Sequence, residues 1–321
     1  MPPRPHIYPD GSVHFWDHRV TTPVTFAQVT DTHLYPPPAD RNDINREYRA
    51  TSCNGGLKAL NTPYAEIEQQ LASMLDDIKA CGVDFVSFTG DILDCYHPES
   101  ARMLVALCAE RELPAYFQMG NHDWDTEWPS GDGSSSPNRL PAQQYNIELR
   151  MRRAEKLMTE EWGMPGLYYS FDCQGVRFLS LDTIHRSQTP TWEGKISSSY
   201  DEAQADWLIQ QLAYEGPIII FQHVPFNPVT PEYRPQQWVD LHGGCVGDDE
   251  RSQRVRAAVE SCPNLLGIFV GHKHFCSEDP LGYTWQFMTG LAADGHWRLV
   301  KIANTPPAEY PVRHSYWAGG L

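Results

Sequence analysis

Five short apolar runs in this chain each break off into Asp, Asn or His. Val24-Thr25-Phe26-Ala27-Gln28-Val29 ends at Thr30-Asp31-Thr32-His33, and Val83-Asp84-Phe85-Val86-Ser87-Phe88 runs into Thr89-Gly90-Asp91-Ile92-Leu93-Asp94. Ala115-Tyr116-Phe117-Gln118-Met119 gives way to Gly120-Asn121-His122-Asp123. Pro217-Ile218-Ile219-Ile220-Phe221-Gln222 stops at His223, and Leu265-Leu266-Gly267-Ile268-Phe269-Val270 stops at Gly271-His272-Lys273-His274. Short apolar runs bounded by turn residues read as buried strands. A glycine at a strand end lets the chain turn sharply and lifts the next side chains out of the core. Between the runs lie helical patterns: Tyr64 to Cys81, with apolar residues at 67, 71, 74, 75 and 78 and Gly82 at its end, and Pro98 to Glu112, with proline in the first turn. Strands alternating with helices imply an α/β chain with largely parallel pairing and right-handed crossovers.

The remaining segments fit around this frame. Residues 6–16 read as a hairpin turning at Pro9-Asp10-Gly11, with His6, His14 and His18 as surface or packing residues. A second hairpin joins 167–171 to 176–181, followed by Asp182 as a turn cap or support, and Ala142 to Trp162 reads as a helix. Further helices start at Asp201 and Glu250, and two more strands are expected near 284–289 and 297–302. With no internal repeat and no linker, residues 1–321 read as one domain. Its appendages are a hairpin extension (1–23), two segments flanking the strand ends (35–63 and 124–166) and a proline-rich tail (303–321). The 35–63 stretch carries Arg41, Arg46, Arg49 and Lys58 and reads as a flap able to bring cations to a phosphate. His97 and His242 are candidate pocket residues, while His185 and His296 read as ordinary surface or packing histidines.

Charge and cysteine usage narrow the functional classes. A net charge of -16 argues against binding a nucleic-acid backbone, and an acidic protein acting on an anionic substrate needs a local positive source such as bound metal ions. The eight cysteines form no CxxC pair, and Cys81, Cys108 and Cys262 sit in apolar or helical stretches, where reduced buried thiols are expected. No leader-like apolar segment follows Met1 and no run is long enough to span a membrane, so a cytoplasmic location is the expectation.

In open α/β sheets, sites form beyond the carboxyl ends of the strands. If the five ends share one edge, Asp31, His33, Asp91, Asn121, His223, His272 and His274 converge there. Seven nitrogen and oxygen ligands suffice for two cations if one carboxylate bridges them, the arrangement used in phosphoryl chemistry with ions roughly 3.5–4 Å apart. Imidazole, carboxylate and amide ligands without thiolate suit Mn, Fe or Zn, with Co and Ni also fitting.

The order of the blocks, Asp31-x-His33, Gly90-Asp91-x-x-Asp94, Gly120-Asn121-His122-Asp123, His223 and Gly271-His272-x-His274, resembles the calcineurin-like metallophosphoesterases. Thr30-Asp31-Thr32-His33-Leu34, the Thr89 to Asp94 block followed by Pro98-Glu99, and Asp123 resemble their class III cyclic-nucleotide phosphodiesterase and glycerophosphodiesterase branch. The resemblance implies a four-layer α/β/β/α sandwich of two mixed sheets with a binuclear metal site at the strand ends. It implies one metal on Asp31, His33, Asp91 and His274, and another on Asp91, Asn121, His223 and His272, with Asp91 bridging. It also implies that His122 faces the phosphate and assists the leaving oxygen while Asp94 orients it. The reaction so implied is hydrolysis of a small phosphodiester, a cyclic nucleotide or glycerophosphodiester, by a metal-bridging hydroxide. A nucleoside-diphosphate-type pyrophosphatase (ADP-ribose or CDP-alcohol class), a phosphomonoesterase and a non-catalytic metal-binding scaffold are the competing readings. The expected partner is a small phosphate ester rather than a nucleic-acid polymer or a membrane, and a homo-oligomer stays open.

Overall fold

The structure is a computed structural model that describes residues 5–34, 64–94, 96–124, 147–184, 198–226, 245–247 and 249–307. In the first sheet the strands run in the order β1 (His6–Ile7), β2 (Val13–Trp16), β12 (Arg298–Ala303), β3 (Val24–Val29), β4 (Phe85–Thr89) and β5 (Ala115–Gln118). In the second the order is β10 (Ser277–Leu281), β11 (Thr284–Met288), β9 (Leu265–Val270), β8 (Ile218–Phe221), β7 (Val176–Ser180) and β6 (Tyr169–Cys173). β3, β4 and β5 pair in parallel, as do β7, β8, β9 and β11. Antiparallel β12 beside β3, and antiparallel β6 and β10 at the edges, make both sheets mixed.

Phenylalanine fills the space between the sheets. Phe26 and Phe85 of the first sheet meet Phe178, Phe221 and Phe269 of the second, all buried. The Phe26 ring lies edge-on to Phe178, Phe221 and Phe269 with centroids 5.7, 5.3 and 5.3 Å away. Edge-to-face pairs of this kind add about 0.5–1.5 kcal/mol each beyond their area.

The outer faces are covered by helices. α1 (Tyr64–Ala80) and α2 (Pro98–Glu110) bury Leu71, Leu75, Ile78, Leu104 and Leu107 with Val29, Val86 and Phe88 of the first sheet. α4 (Glu202–Gln211) and α5 (Glu250–Ser261) bury Ala205, Leu208, Val255 and Val259 with Ile220, Ile268 and Val270 of the second. The result is a four-layer α/β/β/α sandwich. On the first sheet's side, α3 (Ile147–Lys156) continues through one wider turn at Leu157–Glu161 that buries Leu157 and Met158, and Trp162 beyond it stacks on Phe117 of β5. No helix among the described residues is long and apolar enough to cross a membrane.

The helices start where the sequence offers caps. Asp201 accepts a hydrogen bond from the Gln204 N–H (2.7 Å), and Asp249 accepts from those of Arg251 and Ser252 (both 3.2 Å). Asp182 accepts from the Ile184 N–H (3.0 Å), the turn-capping role open to it. β10, reading Ser-Glu-Asp-Pro-Leu, has no apolar run and does not announce itself. It lies at a sheet edge, where Pro280, exposed, costs no ladder bond on its solvent side.

Candidate metal centre

The ends of β3, β4, β5, β8 and β9 come together at one edge of the sandwich. Two groups of side chains there could each hold a cation, Asp31 with His33 and His274, and Asp91 with His223 and His272; a third grouping, His33 with Asp91 and His122, overlaps both. His274 Nε2 lies 3.1 Å from Asp31 Oδ1, and His33 Nε2 lies 3.3 Å from His274 Nε2. His33 Nε2 is also 3.9 Å from Asp91 Oδ2, which in turn is 3.1 Å from His223 Nε2. Asp91 therefore stands between the two groups.

The turns that present these side chains are held in an unusual backbone. Asp31, His33, Asp91, His272 and His274 all have φ between 44° and 75°, the left-handed region that side chains with a Cβ avoid. Such residues persist where the surroundings over-determine them, and they gather at functional sites. Here the surroundings are backbone hydrogen bonds between the turns: Asp31 N–H to the Gly90 carbonyl (3.0 Å), His33 N–H to that of Asp91 (3.0 Å) and Gly271 N–H to that of His223 (3.0 Å). Main-chain donors also set the two central carboxylates. His272 N–H donates to Asp31 Oδ2 (3.0 Å) and His122 N–H to Asp91 Oδ1 (2.8 Å). The turns approach so closely that a Cβ on Gly120 would overlap the Asp91 amide and carboxylate, and one on Gly271 would overlap the Thr30 hydroxyl and Asp31 carboxylate.

Asp94 and Asp123 support the cluster. Asp94 Oδ1 lies 3.1 Å from His122 Nδ1 and 3.3 Å from His33 Nδ1, so one carboxylate orients two imidazoles. Asp123 accepts from the backbone N–H groups of Leu93 (2.7 Å), Gly120 (2.8 Å) and Ile92 (3.3 Å), tying the turn after β5 to the turn after β4. The sequence motif contains Asp123, yet nothing in its spacing says that it serves main chain rather than metal or substrate.

The electrostatics ask for positive charge. His223 Nδ1 lies 2.9 Å from the Thr89 carbonyl, an acceptor only, so Nδ1 carries the proton. Its Nε2 lone pair then faces the Asp91 carboxylate, and two acceptors at 3.1 Å need a cation between them. In the metal-free protein a proton fills that role: burial presses His223 down, but the Asp91 charge and hydrogen bond lift it to about 9. Burial likewise opposes protonation of His33, which hydrogen bonds to Asp31 and Asp94 raise to about 10. Burial pushes Asp94 up, but hydrogen bonds from His122 and His33 hold it at about 2. Burial and the Asp91 charge raise Asp123 to about 7, against the Leu93 and Gly120 N–H donors. Asn121 Oδ1 is buried without a hydrogen bond, and Asp31 Oδ1 and His223 Nε2 face only other ligand-type atoms of the cluster, His274 Nε2 and Asp91 Oδ2, each at 3.1 Å. Buried polar atoms are normally satisfied, so an orphaned oxygen beside lone pairs that face one another fits cations bound there.

Of the other sequence candidates, only His97 is among the described residues, and it does not join this cluster. His97, half-buried, sits at the N-terminal boundary of α2 without capping it through its side chain, and burial lowers its pKa. Arg41, Arg46, Arg49, Lys58 and His242 lie outside the described residues, as do the whole 35–63 segment, residues 125–146 of the 124–166 segment and residues 308–321. The described cysteines, including Cys81, Cys108 and Cys262, form no disulfide with one another.

The family model for calcineurin-like phosphoesterases matches residues 24–276, a span that holds every one of these ligand-type side chains. The chain belongs to the calcineurin-like phosphoesterase family. Its members use a binuclear divalent metal centre, and phosphoric ester hydrolysis is the family's chemistry. A curated relative from Psychrobacter sp. (strain PRwf-1), called a probable cyclic nucleotide phosphodiesterase, is 24% identical over 243 residues; the match covers 68% of this chain and 62% of that protein, less than two thirds of its length. A dimetal phosphatase from Danio rerio shares the fold with a TM-score of 0.52 at 15% identity, over 84% of this chain and 88% of that one.

Proposed function

We propose that this chain is a metal-dependent phosphodiesterase acting on a small diester of the cyclic-nucleotide or glycerophosphodiester type. The observation that carries the reading is Asp91, a buried carboxylate between two histidine-bearing groups with His122 beside it. The name of the Psychrobacter relative supports the diester. One half-site is Asp31, His33, Asp91 and His274; the other is Asp91, Asn121, His223 and His272. Two divalent ions bound there, with Mn, Fe or Zn best suited, lower the pKa of water and neutralise the phosphoryl oxygens.

The chain's own residues supply the rest. Asp31 and Asp91, each fixed by a backbone N–H on one oxygen, would hold the ions through the other. Asn121 contributes a neutral oxygen and keeps the total negative charge down. His122, held at Nδ1 by Asp94, has Nε2 as the ring position that gives a proton to the departing alkoxide. With His122 only 5% exposed, bulk water competes poorly for that proton.

The test is to strip the protein of metal, add Mn, and follow hydrolysis of a bis-aryl phosphate against an aryl monophosphate. The diester should be cleaved faster. Faster cleavage of the monoester would move the assignment to a phosphomonoesterase, and no hydrolysis of either would overturn the catalytic reading.

A further inference from the structure

Beneath the metal centre, one side chain joins the two sheets through directional bonds. Gln28, on β3, shares a strand face with Phe26 and points into the space between the sheets, fully buried. Its amide nitrogen donates to Thr89 Oγ1 (2.9 Å), at the end of β4 in the same sheet, and to the Val270 carbonyl (2.9 Å), at the end of β9 in the opposite sheet. Its amide oxygen accepts from Thr289 Oγ1 (2.6 Å), just past β11 in that opposite sheet. Arg298 Nε of β12, itself 2% exposed, backs Thr289 Oγ1 at 3.2 Å. Both amide hydrogens and the amide oxygen are thus used, and they link both sheets.

Both partners of the amide nitrogen are the last residues before ligand turns. Thr89 precedes Gly90-Asp91, Val270 precedes Gly271-His272-Lys273-His274, and Gln28 itself precedes Asp31 and His33 by a few residues. The Thr89 carbonyl also faces His223 Nδ1 and accepts from Thr30 Oγ1 (3.1 Å). Each half-site draws ligands from both sheets, so their convergence depends on how one sheet sits over the other. The phenylalanines between the sheets attract without direction and set spacing rather than alignment. Metal and catalytic constellations tolerate only about 0.5 Å of error. A buried amide with fixed donor and acceptor directions can supply that alignment; an apolar side chain of the same size cannot.

We infer that Gln28 is a positioning residue for the metal centre: its amide sets the alignment of the two sheets at the level of the ligand turns. The inference rests on the metal-binding reading proposed above. The test compares three proteins, wild type, Gln28→Met and Phe26→Leu. The second variant perturbs the same strand face farther from the site, as a control for general loosening of the inter-sheet core. Each is stripped of metal, checked for folding by circular dichroism, and titrated with Mn by calorimetry at a temperature where all three are folded. Groups that orient metal ligands typically contribute about 10–100-fold to affinity, and Gln28→Met is expected to fall in that range. Phe26→Leu should melt lower but bind Mn within a few-fold of wild type. Thr289→Val, which removes the bond to the amide oxygen and the Arg298 Nε bond to the same hydroxyl while leaving both amide N–H bonds in place, should shift affinity in the same direction by less, and it carries the test if Gln28→Met does not fold. Wild-type Mn affinity in folded Gln28→Met, or in Thr289→Val where Gln28→Met does not fold, overturns the positioning role and leaves the metal reading standing. Equal losses of affinity in Gln28→Met and Phe26→Leu also overturn the positioning role, because general loosening then accounts for them. Absence of Mn binding by wild type overturns the metal reading and this inference with it.

Discussion

Asp91 and His122 show how single side chains divide the work at the strand ends. The His122 N–H fixes one Asp91 oxygen, while the His122 ring answers to Asp94. Main chain and side chain of one residue thus serve different partners, and truncating the ring leaves the first role intact. His122→Ala should therefore bind Mn as wild type does, because the backbone donor to Asp91 survives. Its turnover of a bis-aryl phosphate should fall by about 10²–10⁴-fold, the range for losing one general acid. Steady-state kinetics beside a metal count on the same sample separates the two effects. Wild-type turnover would remove His122 from proton transfer, and loss of metal would make its ring part of the ligand set.

The strand-and-turn unit explains both what the sequence disclosed and what it withheld. The apolar runs and the Asp, Asn and His residues that end them are local patterns, and they located β3, β4, β5, β8 and β9 together with every side chain of the central cluster. β10 was illegible because an edge strand with polar residues and Pro280 takes its identity from a neighbour rather than from periodicity. The supporting roles of Gln28, Thr30 and Asp123 were illegible for the same reason. Each depends on a turn distant in sequence, as in the bond between Gln28 and Val270. The left-handed ligand residues, too, are imposed by bonds between turns. Close approach of the turns makes a prediction at Gly271. A methyl group there would push Thr30 and Asp31 away from the His272 N–H. Gly271→Ala should stay folded, since the strands themselves are untouched, and should lose about 10–100-fold in affinity for the ion held by Asp31, His33 and His274. Calorimetric titration showing two ions bound with unchanged affinity would mean that the turns have slack that these distances do not suggest.

Two sheets meeting across an aromatic layer leave one end of the sandwich crowded with carboxylates. Asp31, Asp91, Asp94 and Asp123 are each at most 1% exposed, in a protein that already carries a net charge of -16. Without metal, the balancing charge comes from protons on His33 and His223, which cannot join several ligands at once as a divalent ion can. Bound ions would connect turns from both sheets and so act as cross-links for the whole sandwich. A ligand that binds only the folded state, present at about 100 times its dissociation constant, stabilises by about 2.7 kcal/mol. With an unfolding entropy of about 2.1 cal/mol/K per residue, each kcal/mol moves the melting temperature of a 321-residue chain by about 1.5 °C. Stripping two such ions with a chelator should therefore lower the melting temperature by roughly 8 °C. Adding Mn back should restore the melting temperature, whereas Mg, less suited to a histidine-rich site, should restore less of it. Differential scanning calorimetry before and after chelation makes the comparison. An unchanged melting temperature, with metal loss verified by elemental analysis, would mean that the ions do not cross-link the two sheets, and the alignment at the ligand turns would then rest on the protein's own bonds alone.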